Sequence, residues 1–343
     1  MAVRGILWEK SVKDASGVRC MLCSHYCHIA DGASGRCRVR VNRAGVLYSL
    51  SSDRIVAANA DPVEKKPLFH FLPGTGTFSL GTNGCNMTCV FCQNHTISQA
   101  PVPPFKTPLD ILSPQLVRDT VSSAVSSGCS SLSFTYNEPS VSIELIRSIA
   151  PLAKDIGLET IMVSNGYSSR EALTLLAPLI SAANFDLKSF SDDFYKQLCG
   201  AGLVPVLRTI AQAVAYGWWV EITTLLIPGH NDSDRELTRL ARFIKEDLGA
   251  HVPWHISRFR PMYRMKDVEA TPVSSLERAH AIGLAEGLRF VYTGNVAGHD
   301  AENTFCPECG ELFLQRAGYR VSPPSSASCV VCGAVIPGVW GKL

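Results

Sequence analysis

"GTNGCNMTCVFCQNHT" (residues 81–96) places Cys85, Cys89 and Cys92 in a C-x3-C-x2-C spacing. Most metal knuckles supply two or four thiolates, so a set of three leaves one ligand position open. Three thiolates fit a cubane [4Fe-4S] cluster with one iron free to bind a substrate or cofactor. A fourth cysteine would close the cluster and leave it to pass electrons. A zinc site completed by His95 or by a distant ligand fits the same spacing. The group directly follows the strand-like run "TFSLGT" (77–82). It therefore sits at a strand's C-terminal end, where barrels of the TIM type place their chemistry. Gly84 opens backbone conformations closed to other residues, which helps the loop wrap a compact object.

Outward from this loop the chain alternates strand and helix. Further strand runs are "SLSFTY" (131–136), "ETIMVS" (159–164), "ANFDLK" (183–188), "WVEITTLLI" (219–227), "PWHISRF" (253–259) and "LRFVYTG" (288–294). Helices fill most gaps: Ser113 and Pro114 suit a helix start, and Ser168 with Glu171, Ser233 with Glu236 and Ser274 with Glu277 fit capping boxes. Repeated βα units imply a parallel sheet with right-handed crossovers. The expectation is an α/β fold, a partial TIM-like (β/α)6 barrel over residues 76–298, with a doubly wound open sheet as the alternative. Residues 1–75 form an N-terminal extension, where short β runs around the "NRAG" turn suggest a small sheet. Residues 299–343 form a tail, with a loop at "SPPSSAS" (322–328).

The formal charge of +2 indicates neither a basic surface nor an acidic tail, and gives nucleic-acid binding no support. No run of 18 apolar residues spans a membrane, and the N-terminus lacks the apolar core of a secretory signal. A cytoplasmic protein is expected, in which the 13 cysteines stay reduced. Eleven of them fall in three tight groups and read as metal sites, while Cys129 and Cys199 read as packing residues.

The three-cysteine spacing, with Phe91 before the last cysteine, resembles the radical S-adenosylmethionine (SAM) enzymes. In that family the free iron chelates the amino and carboxylate groups of S-adenosyl-L-methionine. One electron then splits the sulfonium, and a 5′-deoxyadenosyl radical removes a hydrogen atom from substrate. The resemblance implies cofactor contacts at the strand ends. "FTYNEP" (134–139) looks like the family's Gly-Gly-Glu motif, with Asn137-Glu138 in place of Gly-Glu. Asn137 also suits a helix N-cap. "VSNGY" (163–167) offers Ser164 and Asn165 to ribose hydroxyls, although Asn-Gly is also a common turn pair. In "FDLKS" (185–189), Asp186 and Lys188 lie two apart and share one side of a strand. Glycyl-radical-enzyme activases carry an Asp-x-Lys there, and a His at the strand that here holds His255. A core histidine is the plainer reading of His255. Arg258 and Arg260 suit a carboxylate, a phosphate or solvent. Phe91 and Gln93 complete the implied cofactor-binding set.

"DPVEKKPLFHFLPGT", "CVFCQN", "TYNEP", "DLKSF", "TTLLIPGHNDS", "PWHISRFRP" and "YTGNVAGHDAENTFCPECG" occur in this order. As a set they resemble the AmmeMemoRadiSam-system radical SAM enzymes, relatives of the pyruvate formate-lyase activating enzymes. That resemblance implies association with AMMECR-like and Memo-like proteins, and a reducing protein such as flavodoxin or ferredoxin. The implied reaction is hydrogen-atom abstraction from an unidentified substrate; the alternative is installation of a glycyl radical on a partner enzyme. Two outer groups remain. Cys306, Cys309, Cys329 and Cys332 form the two knuckles of a zinc ribbon, with a rubredoxin-like iron second. Cys20, Cys23, Cys27 and Cys37 fit zinc or an auxiliary [4Fe-4S] cluster, with zinc favoured. A zinc-dependent interaction module would explain these eight cysteines but not the open three-cysteine site.

Overall fold

The computed structural model describes residues 1–12, 14–296, 298–322, 324 and 326–341. Pro323 and Ser325, inside the loop expected at 322–328, lie outside the described residues. Eight strands form the main sheet: β1 Ala57–Pro62, β2 Gly76–Gly81, β3 Ser131–Phe134, β4 Glu159–Ser164, β5 Ala182–Asp186, β6 Trp219–Leu226, β7 Trp254–Arg258 and β8 Val291–Gly294. Their order is β8-β7-β6-β5-β4-β3-β2-β1. All seven runs read from the sequence form strands, and β2 to β8 pair in parallel. The order follows the chain without reversal, which separates this sheet from a doubly wound one.

Six helices make the crossovers: α1 Pro114–Ser126, α2 Ile143–Asp155, α3 Arg170–Leu176, α4 Leu203–Ala215, α5 Asp234–Phe243 and α6 Val273–Ala285. Their apolar faces pack on the sheet in one core that includes Leu132, Ile146, Phe185, Val206 and Ile256. Fully burying each such Leu, Ile, Val or Phe is worth about 1.5–3 kcal/mol. Ser113 precedes α1 with Pro114 in the first turn, as expected. The Ser233 hydroxyl accepts from Glu236 N at 3.4 Å. The Glu236 carboxylate does not complete the box; it takes Ser189 Oγ and Phe190 N instead. Two capping boxes are corrected. Ser169, not Ser168, caps α3, accepting from Ala172 N at 3.0 Å, because the Ser168 backbone bridges to Cys23 in the N-terminal extension. Ser274 lies inside α6, which starts at Val273 after Pro272.

Part of the expected N-terminal extension, residues 1–75, joins the main sheet. β1 pairs antiparallel with β2, from Ala57↔Gly81 to Pro62↔Gly76, so residues 57–62 lie in the main sheet. β1 is an edge strand with mostly exposed side chains, and it lacks the apolar run that marks buried strands. The "NRAG" turn forms as read: Arg40–Arg43 and Val46–Ser49 make a hairpin around Ala44 and Gly45, whose φ values are 51° and 72°. Positive φ at both turn residues suits the right-handed strand twist. At Gly84 (φ +92°) a Cβ would lie 2.7 Å from the Val39 side chain and 2.8 Å from Cys37 O. Only glycine lets the cysteine loop seat against the N-terminal extension. The tail carries two short hairpins and packs Leu314, Ile336 and Trp340 on Phe69, Phe290 and Tyr292. Among the described residues no single helix is long and apolar enough to cross a membrane.

Candidate active site

The C-terminal ends of the parallel strands open on a cavity of about 790 Å³. Cys85, Cys89, Cys92, Phe91, Gln93, Asn137, Glu138, Ser164, Asn165, Asp186, Lys188 and His255 all line it. Residues scattered over 171 positions of chain thus converge on one space, because parallel βα units deliver every strand end to the same side.

The cysteine loop is braced from three directions. Thr88 N and Val90 N donate to Cys199 O and Leu198 O at 2.8 and 3.0 Å, from the helical turn that follows β5. Asn165 Nδ2 reaches Cys85 Sγ at 3.6 Å and Asn86 Oδ1 at 2.8 Å. Asn137 Nδ2 donates to Gly84 O at 2.7 Å and to Thr82 Oγ1 at 3.0 Å, and its Oδ1 accepts from Thr82 N at 3.1 Å. The Asn that departs from the Gly-Gly-Glu pattern thus clamps the loop through its side chain. His95 does not turn to the thiols: its ring stacks on Tyr263 at 4.5 Å, and Nδ1 contacts Cys92 O at 3.3 Å. Cys199, read as a packing residue, is buried beside Cys89, and its thiol holds the Cys89 thiol below its usual range. Burial pushes the Cys85 and Cys92 thiols up.

Glu138 is buried, and its carboxylate accepts from Ser164 Oγ at 3.0 Å, Asn165 N at 2.9 Å and Ser140 N at 3.1 Å. It fixes the β4 end at the wall of the cavity. Lys188 Nζ pairs with Asp186 Oδ2 at 2.9 Å. Burial works to lower the Lys188 pKa, but Asp186 with Cys89 and Cys199 outweighs it and the net shift is upward. The ammonium stays charged beside the thiols.

The sequence matches the Radical SAM superfamily model over residues 79–241. The chain belongs to the radical SAM superfamily. It is 40% identical to an uncharacterized protein of Methanocaldococcus jannaschii, over 94% of this chain and 96% of that protein. A probable GTP 3′,8-cyclase of Methanosarcina mazei is 27% identical over 49% of this chain and 50% of that one. A solved structure of a radical SAM methyltransferase from Sphaerobacter thermophilus has a TM-score of 0.50 at 17% identity, covering 71% of each chain, a likeness in fold alone. Membership makes the chain an enzyme, and implies S-adenosylmethionine and an iron–sulfur cluster.

The radical SAM cavity fits such a polar cofactor on its own terms. Glu64 Oε2, Thr223 Oγ1 and Glu302 Oε2 line it, are buried, and make no hydrogen bond within the described residues. Buried polar atoms ordinarily find partners, so these three oxygens are acceptors held for a ligand. Sequence reasoning missed Glu64 and also Lys66, which lies beneath the cavity with Nζ 2.7 Å from Asp61 Oδ2. Asp61 also takes Lys65 Nζ at 2.8 Å and Tyr136 O–H at 2.7 Å. Against the effect of burial, these donors hold its carboxyl well below the usual range. The charge-rich "DPVEKKP" run was the available signal. His255 is tied down from behind: Nε2 meets Glu221 Oε2 at 2.6 Å, and Tyr292 stacks on the ring at 5.2 Å. Burial works to raise the Glu221 carboxyl, but His255, His70 and the Phe69 N–H hold it low. Nothing in the spacing of Glu221 marked it. Of the two arginines near β7, Arg258 Nε donates to Thr271 O at 2.7 Å, while exposed Arg260 lines the cavity.

Away from this cavity, the tail brings Cys306, Cys309, Cys329 and Cys332 together, with Sγ pairs at 3.6 Å. The N-terminal Cys20, Cys23, Cys27 and Cys37 line a separate small cavity shared with His25 and Arg40.

Proposed function

We propose that Cys85, Cys89 and Cys92 hold a [4Fe-4S] cluster with one iron open, that S-adenosyl-L-methionine binds at the strand ends, and that the enzyme abstracts a hydrogen atom from a substrate sharing the cavity. The observation that carries this is the convergence of three thiols and three unsatisfied buried oxygens on one space. At about 790 Å³ that space lies high in the ligand-pocket range of roughly 300–1,000 Å³, room for a cofactor and a second molecule. When bound, cluster and cofactor supply an electron and a carbon radical, chemistry beyond any side chain here. The chain's own residues position and shield. Asn137 pins the cluster loop, Glu138 sets Ser164 and Asn165, and Cys199 sits beside Cys89. Lys188 with Asp186 offers a fixed dipole for the cofactor's carboxylate or hydroxyls. Phe91, 4% exposed, keeps water from the thiols.

The sequential strand order, with β1 and β8 as edges, supports reading the fold as a partial barrel. The ordered motifs support a place in an AmmeMemoRadiSam system. That place implies AMMECR-like and Memo-like associates, a flavodoxin or ferredoxin as reductant, and a cytoplasmic setting. The tail thiols suit structural zinc, since four sulfurs about 2.3 Å from zinc lie about 3.8 Å apart.

The test is anaerobic reconstitution with iron, sulfide, dithionite and S-adenosylmethionine, followed by assay for 5′-deoxyadenosine. The parent chain forms it. A Cys85→Ala, Cys89→Ala, Cys92→Ala variant that formed it at the parent rate would refute the assignment.

A further inference from the structure

The two outer cysteine groups differ in size. Among the described residues, Cys306, Cys309, Cys329 and Cys332 are the only set of three or more Cys, His, Asp or Glu whose donor atoms all lie within 4.8 Å of one another. That is the spacing a single zinc ion imposes. No three of Cys20, Cys23, Cys27, Cys37, His25 and His28 close up in this way, and neither do Cys85, Cys89 and Cys92. The N-terminal thiols therefore share the open spacing of the three-cysteine site rather than the tight spacing of the tail.

What lies between them agrees. The four cysteines line a cavity of about 10 Å³, enough to seat roughly one water-sized sphere among the sulfurs. Four sulfurs drawn to about 2.3 Å from one zinc would leave no such space. A cubane, with irons at alternate corners and sulfides between, needs it. Its other walls combine apolar Leu22, Ile29 and Val141 with half-buried His25, exposed Arg36 and buried Arg40. Arg40 is 1% exposed and lines the same cavity. Its Nη1 pairs with Glu144 at 2.6 and 2.7 Å, and Nη2 donates to Ile6 O at 2.7 Å. Its Nε is buried and has no geometric hydrogen bond among the described residues, while the guanidinium lies close enough to the Cys20 thiol to favour its charged form. A buried N–H donor is seldom left over, so this one is held for an anionic group inside the cavity. A four-thiolate cluster carries that negative charge.

We propose that Cys20, Cys23, Cys27 and Cys37 bind a second [4Fe-4S] cluster, fully ligated by the chain, with Arg40 as its buried hydrogen-bonding cation. The proposal rests on the first site being a cluster only for its size comparison. It reverses the preference for zinc that the cysteine spacing suggests. The group also touches the first site: His25 Nε2 meets Asn86 O at 2.7 Å, one residue from Cys85.

The experiment uses the full chain carrying Cys85→Ala, Cys89→Ala and Cys92→Ala, reconstituted anaerobically with iron, sulfide and zinc. About four irons and four sulfides per chain remain, giving on reduction a paramagnetic signal that S-adenosylmethionine leaves unchanged, since no iron is open. Iron-free protein with a second zinc overturns the proposal. The parent guards against misfolding of the variant: about eight irons supports the proposal, and about four irons with two zincs refutes it. The same variant reports on the first site through 5′-deoxyadenosine, so either reading can fail alone.

Discussion

Replacing Asn137 by Ala probes the clamp on the cysteine loop. The side chain makes three hydrogen bonds, to Thr82 N at 3.1 Å, Thr82 Oγ1 at 3.0 Å and Gly84 O at 2.7 Å. Each neutral bond is worth about 0.5–1.5 kcal/mol net. Asn137 is half-buried, so water replaces part of the loss, and the low end of that range applies to each bond. About 1.5 kcal/mol then separates the docked loop from the released one, roughly 12-fold in their ratio. The assay is anaerobic challenge with a ferrous-iron chelator, followed by the remaining capacity to form 5′-deoxyadenosine, which reports the three-thiolate site. Loss should be about 12-fold faster than in the parent. Asn137→Gly, the residue usual in the family's motif, should behave alike, with a further ~0.5–1 kcal/mol of backbone freedom to restrain. Parent-like retention with weakened S-adenosylmethionine binding would refute the clamp and make Asn137 a direct cofactor contact.

Three further outcomes are expected. Arg40→Met leaves Glu144 buried without its partner and should lower unfolding free energy by about 3–5 kcal/mol in denaturant titrations. Adding Glu144→Leu should recover most of it, and no recovery would contradict a paired-charge origin. Burial holds His70 down to about 4, against about 6.5 unfolded, so the folded protein keeps it neutral. The unfolded chain binds more protons between these values. Its contribution, about 3 kcal/mol, is therefore full above pH 6.5 and lost as pH falls toward 4. The parent's stability relative to His70→Gln should shrink between pH 7 and pH 5, and an unchanged difference would contradict this. Chelating the zinc proposed for the tail thiols should release Trp340 from Phe313 and Ile336, read as a red shift in tryptophan emission. An unshifted spectrum in the metal-free protein would show that the tail packs without it.

What could be read early was local. Cysteine spacing, continuous apolar runs and the Ala44-Gly45 turn each depend on residues a few positions apart. That is why β2 to β8 and the three-cysteine loop were legible. The edge strand β1 was not, since one exposed pairing face leaves little apolar signal. The Ser168 cap was misplaced because its backbone is claimed by Cys23, 145 positions earlier.

The amino-acid sequence by itself determined the chemistry: three thiolates after a strand, two groups of four elsewhere, and a chain of βα units to carry them. Tertiary structure alone decided the environments. It set Cys199 against Cys89, put Glu221 behind His255, and used Asn137 as a clamp. It also held one cysteine quartet tight and the other open around a buried arginine. Those outcomes depend on distances between residues far apart in the chain, which spacing along a strand or helix does not encode.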